Sequence, residues 1–309
     1  MLELIKATTF PFMHHRKKAY IFSLLVMLIG IASVIMKGGF QLSVDFAGGR
    51  LIEYRFNQAV SSELIRNAAT SVGIAESEIQ RVGEAETDYI IRVPVAEQEA
   101  RAGDSPSARI LEALQASKPG LTGEIRREEL VGPKVGSELK GQATWAVTLS
   151  LLAILLYVAI RYEWRFAVGG VIALAHDVLV SLLLCSVFNV EISIPIVAAL
   201  MTIGGYSIND TVVVFDRIRE EMKLRQGQPL EDTINLAINR TLSRTILTAF
   251  TTLISILCLY FLGGEVIHGM AFALLIGVSF GIYSSVYVAS ALALELSKGH
   301  HARQRAKVA

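Results

Sequence analysis

The chain has 309 residues, of which 52% are hydrophobic and only 18% are charged, and its formal net charge is +1. Soluble domains carry about 25% charged residues, so this composition excludes an ordinary soluble domain and indicates an integral membrane protein. With a net charge near zero and no basic stripe interleaved with aromatic residues, nothing favours nucleic-acid binding. The two cysteines, Cys185 and Cys258, lie in apolar runs, which predicts small buried side chains; no cofactor, disulfide framework or metal site is predicted.

Six apolar runs are long enough to cross a bilayer, which takes roughly 20 residues. In chain order they are residues 19–36, 143–160, 167–188, 192–215, 245–262 and 266–296. The first run follows a basic stretch, so a cleaved signal peptide is the alternative interpretation. Its apolar core is longer than a usual signal core, and no A-x-A site follows it, so we expect six membrane-spanning helices.

The distribution of Lys and Arg predicts the orientation of these helices. Basic residues are concentrated in residues 1–18, in the loop 161–165, in the segment 217–244 and in the tail 297–309. The short links between the third and fourth runs and between the fifth and sixth runs contain no Lys or Arg. By the positive-inside rule, both termini are expected in the cytoplasm, and residues 37–142 outside it.

Residues 37–142 are predicted to form a small α+β domain. Alternating and helical hydrophobic patterns predict strands at 50–56, 78–82, 88–93 and 124–131 and helices at 61–72 and 107–117. The order β-α-β-β-α-β predicts a ferredoxin-like unit. This segment contains no Cys, no His and no nucleophile motif, which favours a binding or mechanical role over catalysis; a plain spacer is the alternative.

Two glycine-containing patches flank the domain and are candidate hinges. In SVDFAGGR, Gly48 and Gly49 permit a tight turn with positive φ. In VGPKVGSELKG, Gly132, Pro133 and Gly136 precede the second apolar run. Each pattern alone is common in ordinary turns, so the hinge role is a hypothesis.

Two carboxylates lie inside apolar runs, Asp177 in the third and Asp210 in the fourth. Ionisable groups in membrane spans cost several kcal/mol and usually mark a proton or ion path. Arg244 opens the fifth run, and chain geometry allows it to reach the depth of Asp210. The alternative is a buried ion pair that only fixes helix packing. His176, next to Asp177, could relay a proton or form a structural hydrogen bond.

The fourth run predicts an interrupted helix. Pro195 removes a backbone hydrogen bond, and the adjacent Gly204 and Gly205 weaken a helix. Interrupted helices that carry polar groups at membrane depth are typical of transporters. The polar side chains expected to hold water beside Asp210 are Ser207, Asn209 and Thr211.

The basic segment 217–240 predicts two helical pieces separated by a break at 226–229. Ile234, Ile238 and Leu242 recur every four residues in the second piece. This spacing predicts an amphipathic helix lying on the cytoplasmic membrane surface.

Four motifs together carry a resemblance to a known family. They are VDFAGG after the first run, VGPKVGSEL before the second, GGYSINDTVVVFDRIRE on the fourth and NRTLSRTILTAFTTL entering the fifth. Each is modest alone, but their order and spacing with six spans resemble the SecD/SecF family of the resistance–nodulation–division superfamily. The resemblance covers nearly the whole chain.

The resemblance implies a non-enzymatic subunit of the cytoplasmic (inner) membrane that pairs with a SecD-like subunit beside the SecY–SecE–SecG channel. It implies use of the proton-motive force to help an unfolded preprotein clear the membrane on the extracytoplasmic side. The family's fourth-span acid corresponds to Asp210, its fifth-span arginine to Arg244 and the aspartate of its third-span HDV motif to Asp177. The alternatives are a proton-coupled small-molecule exporter of the superfamily, which usually has two six-span halves, and a passive assembly factor.

Overall fold

The structure, a computed structural model, describes residues 8–74, 77–82, 85–93 and 105–297. Two compact units make up the chain. One comprises Met1–Gln41 and Trp145–Ala309, and the other Leu42–Thr144. The helices are α1 (Arg16–Met36), α2 (Val44–Ala47), α3 (Ser62–Ser71), α4 (Pro106–Ser117), α5 (Pro133–Arg161), α6 (Trp164–Val187), α7 (Ile194–Leu224), α8 (Leu230–Leu262) and α9 (Glu265–Ser284). The strands are β1 (Gly49–Phe56), β2 (Glu78–Val82), β3 (Asp88–Val93) and β4 (Gly123–Val131).

Among the described residues, six helices are long and apolar enough to cross a membrane: α1, α5, α6, α7, α8 and α9 with its continuation to Ser297. Each corresponds to one predicted apolar run. The helices α7 and α8 extend well beyond their apolar runs, so that only a turn around Gly227 separates them.

The predicted interruption of the fourth span is wrong. Helix α7 runs without a break from Ile194 to Leu224 and passes through Gly204 and Gly205. Pro195 is the second residue of α7, where the missing N–H has no helical partner to lose. The irregular backbone lies instead in the sixth span, where a π-helical turn (Ser285–Ala289) follows α9.

The apolar face at the start of α8 packs inside the bundle. Ile234 and Ile238 are buried in one cluster with Phe12 and Met13 from the N-terminal segment. The backbone N–H of Met13 donates to Asn235 Oδ1 at 2.8 Å. The prediction that this face lies on the membrane surface is therefore wrong, because a four-residue period does not distinguish a helix on lipid from a helix on protein.

The unit Leu42–Thr144 is a four-stranded antiparallel sheet with strand order β2-β3-β1-β4. Strand β1 pairs with β3 and β4, so it lies in the middle of the sheet. Residues from α3 and α4, including Ile65 and Ile110, join Ile52, Tyr54 and Ile91 in one buried core. The predicted fold class, six membrane helices with one ferredoxin-like α+β domain, is confirmed.

The two glycine patches meet within this small domain. Gly48 has φ +74° after α2, and a Cβ there would lie 3.2 Å from Pro133 Cα. A Cβ on Gly136 would lie 3.1 Å from the Phe46 carbonyl oxygen. The patches therefore form one tightly packed junction in which α2 contacts the start of α5, and glycine is required for this close approach.

A polar cluster joins β1, β4 and the start of α4. Glu128 accepts hydrogen bonds from Ser105 Oγ (2.8 Å) and Ser107 Oγ (2.9 Å), and it also pairs with Arg50. Burial disfavours the ionised form of Glu128, but the hydrogen bonds from Arg50, Ser105 and Ser107 outweigh this effect and lower the pKa of Glu128 below its usual range.

Enlarging Gly136 should destabilise the small domain. Gly136→Val places carbon atoms against the backbone of Phe46 and Gly48, and overpacking of this kind costs about 1–3 kcal/mol. The measurement is the rate of proteolysis of the domain in the intact reconstituted protein. Gly132→Val is the matched control, because a Cβ at Gly132 meets no atom within 4 Å. Equal proteolysis rates for the two variants would contradict the packed junction.

The small domain should lose stability in acid through Glu128. Because the folded-state pKa of Glu128 lies below its unfolded value, the stabilisation is present at neutral pH and is lost as the pH falls through the folded-state pKa. We expect the urea midpoint, followed through the near-ultraviolet signal of the buried Tyr54 and Tyr89, to fall in acid less steeply in Glu128→Gln than in the wild type. Glu129→Gln, which changes a more exposed neighbour, should retain the wild-type slope.

Candidate functional site

Asp210 lies where three spans meet. Its side chain is nearly buried on α7. One carboxylate oxygen, Oδ1, accepts a hydrogen bond from Thr245 Oγ1 on α8 at 2.8 Å. The other, Oδ2, accepts one from Ser285 Oγ of the π-helical turn, also at 2.8 Å. Both hydrogen-bond donors are therefore neutral hydroxyls from neighbouring spans.

Arg244 precedes the residue that contacts Asp210. Among the described residues, no ion pair within 4.0 Å joins Arg244 to Asp210. The guanidinium is near enough for a charge–charge attraction to the carboxylate. Successive residues of a helix point about 100° apart, so Thr245 faces Asp210 while Arg244 lies on the exposed side of α8.

Asp177 forms a second buried site on α6, with a side chain that is 0% exposed. Its Oδ2 accepts hydrogen bonds from Ser207 Oγ on α7 and Ser284 Oγ on α9, both at 2.6 Å. Its Oδ1 lies 2.9 Å from His176 Nδ1. Ser207, expected beside Asp210, therefore binds Asp177 instead.

The two acids share adjacent residues of the sixth span. Ser284 donates to Asp177, and Ser285 donates to Asp210. The helix changes at this point from α to π geometry, and Ser290 Oγ donates to the Ser285 carbonyl oxygen at 2.8 Å. π-Helical turns occur frequently at functional sites. This pair was not predicted, although two consecutive serines in an apolar run were the available signal.

The other polar residues predicted around Asp210 differ in position. Asn209 is exposed on α7 and makes no side-chain hydrogen bond to the described part of the chain. Thr211 is buried, and its hydroxyl has no hydrogen-bond partner among the described residues.

Both cysteines are free thiols. Within the described ranges, no group of three or more His, Cys, Asp or Glu side chains could hold a metal ion.

A charged cluster connects the C-terminal end of α7 with the N-terminal part of α8. Glu221 is 1% exposed and pairs with Arg217 (2.8 Å), Arg225 (3.3 Å) and Arg240. This cluster was not predicted, although the four-residue spacing of Arg217, Glu221 and Arg225 indicates ion pairs along one helix face. The candidate hinge residues Gly48, Gly49, Gly132, Pro133 and Gly136 all lie in the small domain, and Gly48 and Gly136 make the close contacts of its glycine junction.

Comparison with known proteins places this geometry in a family. Residues 111–299 match the family described as "Protein export membrane protein SecD/SecF, C-terminal", and residues 34–60 match the SecD/SecF GG motif. Protein translocase subunit SecF of Rhodothermus marinus is 41% identical, with 98% of each chain covered. SecF of Escherichia coli O157:H7 is 43% identical over 90% of this chain and 86% of its own.

A solved structure gives the same result. The crystal structure of SecDF, a translocon-associated membrane protein from Thermus thermophilus, superimposes with a TM-score of 0.83 at 38% identity. The match covers 96% of this chain and 40% of the SecDF chain, so the present chain spans about two fifths of that protein. These matches cover nearly the full length of the chain, which therefore belongs to the SecD/SecF family, as a SecF-type subunit of the Sec protein translocase.

Proposed function

We propose that this SecF-type subunit uses the proton-motive force, together with a SecD-like subunit, to assist the late extracytoplasmic steps of protein export. Protons would bind and leave Asp210, and the resulting shift of the helices would move the small domain against an unfolded preprotein. The SecY–SecE–SecG channel is the partner that supplies the emerging chain.

The observation that carries this proposal is the pair of neutral hydroxyls at Asp210. A hydroxyl donates to a carboxylate and accepts from a protonated carboxyl group. Thr245 and Ser285 can therefore satisfy Asp210 in either protonation state by rotating their hydrogens. An acid held directly by an arginine would instead leave an unpaired buried charge on protonation.

Arg244 gives the two states different energies. A charged Asp210 attracts the nearby guanidinium, and a neutral one does not. A membrane potential of 100 mV supplies about 2.3 kcal/mol per elementary charge moved. That free energy changes a two-state population ratio by a factor of about 50. One proton is thus enough to shift α7, α8 and the sixth span between two packings.

The chain offers two covalent routes from the bundle to the small domain. The first runs from the end of α1 into the domain, and the second joins the end of the domain to α5, which begins at Pro133. Both routes pass the glycine junction of Gly48 and Gly136. We assign the hinge role to this junction, with Gly49, Gly132 and Pro133 as its neighbours, because backbone packed without intervening side chains transmits small displacements.

The charge distribution supports a location in the cytoplasmic (inner) membrane with both termini in the cytoplasm. Arg16, Arg161, Arg217 and Arg240 all lie at those ends of the helices that the positive-inside rule assigns to the cytoplasm. The small domain then lies outside, where an exported chain emerges.

Asp210→Asn should abolish the stage of export that depends on the proton-motive force while leaving assembly with SecD intact. Asparagine keeps the size and hydrogen-bonding capacity of the side chain but cannot exchange a proton at neutral pH. The measurement is the rate of preprotein export across the membrane of energised vesicles. These vesicles contain the complete complex, with the variant in place of the wild-type subunit. We expect the rate to fall to that of vesicles without a gradient.

Asp216→Asn is the matched control for this experiment. Asp216 lies on the same helix, its side chain is 44% exposed and it pairs with Arg161. Its replacement should leave the gradient-dependent rate unchanged. Wild-type export by Asp210→Asn in an assembled complex would contradict proton coupling and support a passive assembly factor.

A further inference from the structure

A chain of hydrogen-bonding groups connects Asp177 to the first span. His176 Nδ1 contacts Asp177 Oδ1 at 2.9 Å, and His176 Nε2 contacts Ser23 Oγ on α1 at 3.0 Å. Ser23 Oγ lies 3.0 Å from the hydroxyl of Tyr283 on α9. That hydroxyl also donates to the Ala19 carbonyl oxygen at 2.5 Å. The series links three spans without a gap.

Among the described residues, this chain is the route by which a proton can reach Asp177. His176 is the one titratable side chain bonded to Asp177 among the described residues; α7 and α9 contribute only the hydroxyls of Ser207 and Ser284. A further titratable group, Tyr283, faces His176, with its ring centroid 6.2 Å from that of the imidazole. Proton exchange with a fully buried carboxylate requires such intermediate groups.

The chain has two hydrogen arrangements that differ by one proton. When His176 is neutral, Nδ1–H donates to Asp177, and Ser23 donates to Nε2. Tyr283 then donates to the Ala19 carbonyl oxygen, and the contact between Ser23 and Tyr283 holds no hydrogen. When His176 is protonated, Nε2–H donates to Ser23, Ser23 donates to Tyr283, and Tyr283 still donates to the Ala19 carbonyl oxygen. Each hydroxyl and ring nitrogen keeps at least one hydrogen bond in either arrangement, and the added proton fills the one contact that was empty.

We propose that His176 and Asp177 form a second proton-binding site and that Ser23 and Tyr283 conduct its proton. Uptake begins at Tyr283, the partly exposed end of the chain: a proton that reaches its hydroxyl displaces the Tyr283 hydrogen to Ser23. The Ser23 hydrogen moves in turn to His176 Nε2, which adds one positive charge beside the Asp177 carboxylate; release runs the same transfers in reverse. The bond of Ser284 to Asp177, next to the bond of Ser285 to Asp210, connects this site to the first acid. The inference rests on the proposed function, since it extends proton coupling from Asp210 to a second site.

Ser23→Ala is the decisive variant, because it breaks the chain without changing charge or removing an aromatic ring. The assay is gradient-driven proton flux through the variant subunit reconstituted with its SecD partner in vesicles containing a pH-sensitive dye. We expect a loss of at least about tenfold, since positioned proton-transfer groups contribute roughly 100-fold or more. Tyr283→Phe, which keeps the ring, should cause a similar loss. His176→Gln should remove one titration step from the pH profile of the flux.

Ser33→Ala is the matched control. Ser33 also lies on α1, and its hydroxyl binds Ser186 on α6 at 3.1 Å, outside the chain. It should retain wild-type flux. Equal flux in the Ser23 and Ser33 variants, whether reduced or normal, would overturn the relay. If Asp210→Asn still abolished flux in that case, the proposed function would stand; normal flux in Asp210→Asn would overturn the proposed function itself.

Discussion

The hydrogen bonds that Ser284 and Ser285 donate to two buried carboxylates hold the candidate functional site together. Consecutive residues of one span thereby reach Asp177 on α6 and Asp210 on α7. A regular helix directs consecutive side chains about 100° apart, and the π-helical turn that begins at Ser285 widens the backbone at this point. The position of each acid therefore depends on the sixth span, and a shift of that span moves a hydrogen-bond donor of both acids.

The acids of this protein fall into two classes by their partners. Glu221 is surrounded by Arg217, Arg225 and Arg240, so losing its charge would leave buried cations unpaired. Asp210 and Asp177 are bonded mainly by hydroxyls, which serve either protonation state. The first arrangement suits a fixed contact between α7 and α8, and the second suits the exchange of a proton. The N-terminal segment adds a further fixed contact, through the hydrogen bond of the Met13 backbone N–H to Asn235 on α8.

Much of the fold was predictable because local patterns determine it. Alternation predicted β2 and β3 at their observed bounds, and α3 begins where a helix was predicted, with Ser61 as its N-cap. The family motifs pointed to Asp210. The partners of the acids were not predictable, because Ser207 and Asp210 lie three residues apart on one helix, and only tertiary packing decides that Ser207 faces Asp177. The interpretation of Pro195 was wrong because the effect of a proline depends on its distance from the helix start.

The central claim is that Asp210 gains and loses a proton and that the hydroxyls of Thr245 and Ser285 serve both protonation states. Infrared difference spectroscopy of the reconstituted complex, recorded with and without a proton gradient, tests it most directly. We predict a protonated-carboxyl stretching band that changes with the gradient and is missing from Asp210→Asn. A spectrum in which no such band responds to the gradient, or in which the response persists in Asp210→Asn, would contradict the account.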